Sequence, residues 1–126
     1  MSTLISALLV AIGGASGALA RSGVDALAAR LGVAAPIGTL AINVVGSFAA
    51  GLVATLIADR MLFPDAARPL ILVGLLGGFT TFSAFALQLT RMGEGGELLA
   101  LTVYAAGSIL LGVAAAAAGV ALARAL

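Results

Sequence analysis

Three of the chain's five phenylalanines fall within seven residues, in GGFTTFSAF (Gly77–Phe85). Phe79, Phe82 and Phe85 are spaced three apart, which makes them neighbours on one side of a helix. A phenyl ring is negative on its face and positive at its edge. A cation prefers the face, so a row of presented edges suits an anion. Neutral donors accompany the rings. Thr80, Thr81, Ser83, Gln88 and Thr90 share their segment, and Thr39, Asn43 and Ser47 stand at i, i+4 and i+8 in an earlier one. Thr102, Tyr104 and Ser108 follow later, the last two four residues apart. Amide and hydroxyl groups all donate hydrogen bonds. A lone Ser or Thr in an apolar helix ordinarily bonds back to its own backbone. Asn43 is different, because its amide needs a partner on another helix or a solute. These groups do not by themselves distinguish fluoride from chloride or from a neutral solute.

What is missing narrows the chemistry. The chain has no cysteine and no histidine, and residues 1–20, 31–58, 69–90 and 98–123 carry no charged side chain. No acid/base pair, nucleophile–base pair or metal constellation can be assembled, so an enzyme is not expected. A proton-coupled exporter needs a titratable group in the membrane. The alternative reading, a small four-helix multidrug or metabolite exporter, calls for a carboxylate in the first span, and Met1–Ala20 contains none. A passive route with neutral lining remains.

The elements that must position these residues follow from composition. The 126 residues are 63% hydrophobic and 9% charged, with mean hydropathy +1.27. A soluble domain carries about 25% charged residues, so this is an all-α membrane protein forming a single unit over residues 1–126. The uncharged stretches each approach or exceed the roughly 20 residues that cross a bilayer. They predict four transmembrane helices, near 3–20, 37–58, 69–91 and 97–122. Connectors hold Gly32, Pro36, Pro64, Pro69, Gly93, Gly95 and Gly96, residues that suit helix ends. A cleaved signal peptide is disfavoured because no Lys or Arg precedes the first apolar run. Gly77-Gly78 lowers helix propensity and Thr80-Thr81 is stiff at χ1, so the third helix is expected to break near its middle.

Gly13/Gly17 and Gly74/Gly78 have the GxxxG spacing that lets membrane helices approach closely, within one chain or between two. Four spans put both termini on one side with Arg60, Arg68 and Arg124, against Arg21, Arg30 and Arg91 on the other. Orientation normally follows an excess of Lys and Arg on the cytoplasmic side. Three against three leaves two readings: one arginine near a helix end decides, or the chain inserts both ways and pairs as an antiparallel homodimer.

GGFTTFSAF, with NVVGSFAAG (Asn43–Gly51) and GGASGALAR (Gly13–Arg21), resembles the Fluc/CrcB fluoride channel family over essentially the whole chain. The resemblance implies a dual-topology, antiparallel homodimer in the cell inner membrane, with two pores that pass fluoride passively out of the cytoplasm and exclude chloride. It implies that Phe82 and Phe85 face the ion with their edges and that Asn43 bonds it near a vestibule. Tyr104 and Ser108 would line the fourth-helix side, Thr39 and Ser83 would add hydroxyls, and Arg21 would supply positive potential at a mouth. It further implies a structural Na⁺ on the dimer axis, held by the backbone carbonyls of Gly77 and Thr80 from each chain. Gly112, one turn beyond Ser108, interrupts the hydroxyl stripe.

Overall fold

The computed structural model describes residues 1–59 and 63–126; Arg60, one of the six arginines in the orientation count, lies outside the described residues. Helix α1 runs Thr3–Arg30 and α2 runs Ala35–Ala58. A π-type segment, Arg68–Leu76, leads into α3 (Gly77–Phe79). After two extended residues come α4 (Phe82–Glu94) and α5 (Leu98–Ala125). Four stretches are long and apolar enough to cross a membrane: Thr3–Arg30, Ala35–Ala58, Arg68–Glu94 and Leu98–Ala125. The chain is a multi-pass membrane protein.

The helix ends follow from local chemistry. The Ser2 hydroxyl accepts the Ile5 N–H at 3.4 Å and starts α1. Gly32 ends it at φ +70°, with Gly32 N–H bonded to Ala29 O and Val33 N–H to Ala28 O. That 5→2 and 6→1 pattern needs a left-handed residue, which glycine supplies without a Cβ penalty. Gly96 at φ +74° closes α4 in the same way, through Glu97 N–H to Met92 O. Pro36 sits in the first turn of α2, where its missing N–H costs nothing.

α1 runs ten residues past the expected end of the first span and takes in Arg21, Asp25 and Arg30. Charges mark where hydrocarbon ends, not where the helix ends. At 28 residues α1 is about 42 Å long, against a hydrocarbon core of roughly 30 Å. Its charged last turns therefore extend beyond the apolar layer. Arg21 and Asp25 lie one turn apart on α1, 3.9 Å between Nη1 and Oδ2.

Glycine sets the packing of the spans. A Cβ on Gly13 would collide with the Leu70 carbonyl, and one on Gly17 with the Leu75 carbonyl. Gly74 and Gly78 return the contact, against Val10 O and the backbone of Gly14. The two GxxxG pairs thus meet each other inside one chain, between α1 and the third span, and carry no argument for a dimer. A second close approach joins α2 to α5, where Gly51 faces Ala116 and Gly119 faces Phe48 and Leu52. Apolar burial does not drive helices together in lipid, so contacts of this kind hold the bundle.

Candidate functional site

The site is organised around the two residues between α3 and α4. Thr80 has φ −76°, ψ 157° and Thr81 φ −147°, ψ 111°. Gly77 and Gly78 are themselves helical, and Gly78 packs directly against the Gly14 backbone of α1. Asn43 on α2 reaches across to the extended peptide. Its Oδ1 accepts the Thr81 N–H at 2.8 Å, and its Nδ2 donates to the Thr81 carbonyl at 3.0 Å. The amide thereby does what the next strand of a sheet would do, and both polar groups of Thr81 are satisfied where lipid offers no water.

That capture frees carbonyls. In a continuous helix the Thr81 N–H would bond to Gly77 O, and the Ala84 N–H to Thr80 O. Here Thr81 N–H goes to Asn43, and Ala84 N–H goes to the Thr81 hydroxyl at 3.2 Å as the N-cap of α4. Gly77 O and Thr80 O are left outside the helix ladder. Both residues line an open groove of about 400 Å³, together with Asn43, Ser47, Thr81 and Phe82. Among the described residues no cluster of acidic, His or Cys side chains could hold a metal ion. The oxygens that line the groove belong to backbone, hydroxyl and amide groups. Next along the ladder, Gly78 O accepts Arg21 Nε at 3.4 Å, so the Arg21 guanidinium is tied to the same turn.

A second row runs along α4. Phe82 and Phe85 are tilted at 55° with centroids 5.7 Å apart, and Phe85 meets the Tyr104 ring edge-on at 5.2 Å and 64°. Phe82 is 77% exposed whereas Phe85 is 8% exposed. Beyond Phe85 the row becomes polar. The Tyr104 hydroxyl donates to Gln88 Oε1 at 2.6 Å, and Gln88 Nε2 donates to the buried Thr39 hydroxyl at 2.8 Å. Phe85, Tyr104, Gln88 and Thr39 thus form one connected set drawn from α2, α4 and α5.

Of the residues expected at the site, Asn43, Gly77, Thr80 and Phe82 line the groove, and Thr39, Phe85 and Tyr104 join the aromatic–polar row. Ser83 is exposed beside Thr81, hydroxyl to hydroxyl 3.4 Å. Ser108 Oγ is buried with no hydrogen-bond partner among the described residues. Gly112 lies against Ser47, where a Cβ would come 3.7 Å from its Oγ. Thr90 and Thr102 bond back to the carbonyls of Ala86 and Leu98, the ordinary fate of a helical threonine, and the extended Thr80 returns its hydroxyl to Leu76 O. Gln88 was underrated by sequence reasoning. The signal available was that it is the one amide in the third span, which needs partners as Asn43 does.

The family model described as CrcB-like protein, Camphor Resistance (CrcB), matches residues 8–120. The chain is 47% identical over 119 residues to a protein of Paracoccus denitrificans (strain Pd 1222), covering 94% of each. It is 50% identical over 124 residues to one of Rhizobium leguminosarum bv. trifolii (strain WSM2304), covering 98% of this chain and 99% of the relative. A protein of Magnetococcus marinus (strain ATCC BAA-1437 / JCM 17883 / MC-1) is 44% identical over 116 residues, covering 91% and 94%. All three relatives carry the name fluoride-specific ion channel FluC. With the match spanning all four membrane helices, the chain belongs to the CrcB family.

Proposed function

We propose that the chain is a fluoride-selective channel that passes F⁻ passively out of the cytoplasm across the cell inner membrane, lowering fluoride toxicity. The carrying observation is the row Phe82–Phe85–Tyr104–Gln88–Thr39, built only of ring edges and neutral polar groups. Stripping an anion of water without compensation costs tens of kcal/mol by Born reasoning. A pathway must therefore replace hydration at several points without holding the ion too tightly. Positive ring edges and neutral donors do this. The names of the relatives favour fluoride as that anion. As a member of a channel family the protein is not an enzyme.

The working unit in this reading is an antiparallel, dual-topology homodimer with two pores. Support comes from Phe82, whose ring is largely uncovered beside an open groove, so a second copy would complete the lining that one chain leaves unfinished. The balanced arginines of the sequence fit insertion in both directions. Gly77 and Thr80 of each chain would hold a structural Na⁺ through the carbonyls that Asn43 and Thr81 leave free. The ion would supply the positive charge that those oxygens otherwise lack, tying the two chains together.

The test is efflux from proteoliposomes loaded with fluoride or chloride and read with ion-selective electrodes. Rapid fluoride loss without a proton gradient, with chloride near protein-free background, is the expected result. Fluoride efflux no faster than from empty liposomes, or dye efflux driven by a pH gradient, would overturn the reading in favour of an accessory subunit or an exporter.

A further inference from the structure

A second pocket, largely apolar but with three polar residues in its lining, lies apart from the groove at Thr80–Thr81. About 230 Å³ in volume, it sits between the last turns of α1, the first of α2 and the middle of α4. Its lining includes Asp25, Gly38, Thr39, Ala84 and Gln88, and Asp25 is the one charged residue there among the described residues. Thr39 and Gln88 are also the polar end of the row that leads to Tyr104 and Phe85. The pocket thus shares Thr39 and Gln88 with that row, and it lies against the last turns of α1.

A carboxylate at that place is unexpected for an anion route. Asp25 faces Arg21 across one helical turn at 3.9 Å, while Arg21 is also tied by Nε to Gly78 O. The Asp25 side chain is half exposed, and an ionised carboxylate offers only acceptors. Its charge opposes that of Arg21 and repels any anion in the pocket beside it.

Resting on the channel reading, we propose that Asp25 sets the rate of anion passage at this mouth. It offsets the attraction of Arg21 and imposes an electrostatic barrier where the Thr39–Gln88 row opens to water. Gln88 keeps one Nε2 hydrogen beyond the one given to Thr39 and provides the neutral donor there. The barrier is long-range, so salt screens it, whereas a steric obstruction is insensitive to salt.

The experiment compares fluoride efflux from proteoliposomes containing wild type, D25N, D25S and D25E at about 20 mM and about 500 mM inert salt, conditions on either side of strong screening. D25N and D25S are expected to be roughly two- to fivefold faster than wild type at low salt, from the removal of one nearby like charge. The advantage should shrink toward unity at high salt, with D25E behaving as wild type at both. Equal rates for all four proteins would overturn the proposal. So would slower neutral variants, or an acceleration of the same size at both salt levels. If D25N does not assemble, D25S reads the same charge change. Wild type that passes no fluoride at either salt level is a different outcome, refuting the channel reading on which the assignment rests.

Discussion

Asn43 holds Thr81 by both ends of its backbone, taking the N–H at 2.8 Å and giving to the carbonyl at 3.0 Å. One α2 side chain thereby takes the place of the helix bond from Thr81 N–H to Gly77 O and adds a donor to the Thr81 carbonyl. The same contact leaves the Gly77 carbonyl free, while the Thr81 hydroxyl, by capping Ala84 N–H, leaves the Thr80 carbonyl free.

Asn43→Asp is the sharpest probe of that contact. The carboxylate still accepts from Thr81 N–H, but its other oxygen faces the Thr81 carbonyl with no proton to give. A fixed negative charge also enters the groove. Fluoride efflux is expected to fall to background. Asn43→Ala, which removes both bonds, should cost about 2 kcal/mol or more of stability, since each unsatisfied polar group is worth roughly 1–3 kcal/mol. Thermal unfolding in detergent and liposome efflux read the two effects separately, and wild-type flux in N43D would break the link between Asn43 and the path.

Gln88 makes two different bonds, accepting from Tyr104 and donating to Thr39. Gln88→Leu keeps the size and loses both, leaving the buried Thr39 hydroxyl and the Tyr104 hydroxyl without these partners. A loss of about 1–2 kcal/mol in stability is expected, with a several-fold drop in fluoride flux. Gln88→Glu retains an acceptor for Tyr104 and can accept from the Thr39 hydroxyl after that proton rotates. It should therefore recover most of the stability lost in Q88L. Comparing the melting points of the two variants checks the assignment.

How much of this was legible in the sequence depends on the range of each interaction. The spacing of Phe82 and Phe85 is local, and the rings are neighbours 5.7 Å apart. The need of Asn43 for a partner was legible because a buried amide cannot go unpaired. Its partner was not, since Thr81 is 38 residues away. Thr39 and Gln88 are separated by 49 residues, so a connection through Gln88 could not be read from either segment alone. The length of α1 was misjudged because charged residues end a hydrophobic run while leaving the backbone ladder intact. The meeting of the two GxxxG pairs inside one chain also needed the tertiary packing, since the spacing is the same in both cases.

Phe82 and Phe85 should separate flux from folding. Phe85 is buried against Tyr104, whereas Phe82 is 77% exposed. Replacing the Phe85 ring by Ile gives up the edge contact, worth about 0.5–1.5 kcal/mol beyond area, so F85I is expected to lower both stability and fluoride efflux. F82I gives up only the tilted contact with Phe85 from a largely exposed ring, so it should cost less stability than F85I and still cut efflux. Full flux in both variants, measured in liposomes beside circular dichroism melts, would remove the phenylalanines from the path.

Two glycines of the third span make opposite demands and give the last test. A Cβ on Gly78 would run into the Gly14 backbone, while one on Gly77 meets nothing within 4 Å. Gly78→Val therefore forces α1 off the third span, and with rigid backbone on the other side the cost should exceed the roughly 1–3 kcal/mol of ordinary overpacking. G78V is expected to insert poorly and run as aggregate on gel filtration. Gly77→Val has room within its own chain, and valine is no worse a helix former than glycine, so each chain should fold. Any defect in G77V must then arise at the surface that the Gly77 carbonyl lines. In the proposed dimer this defect appears as faster dissociation when Na⁺ is replaced by N-methylglucamine, followed by cross-linking or light scattering. A G77V dimer that keeps wild-type lifetime with and without Na⁺ would exclude a cation at Gly77 while leaving the anion row untouched.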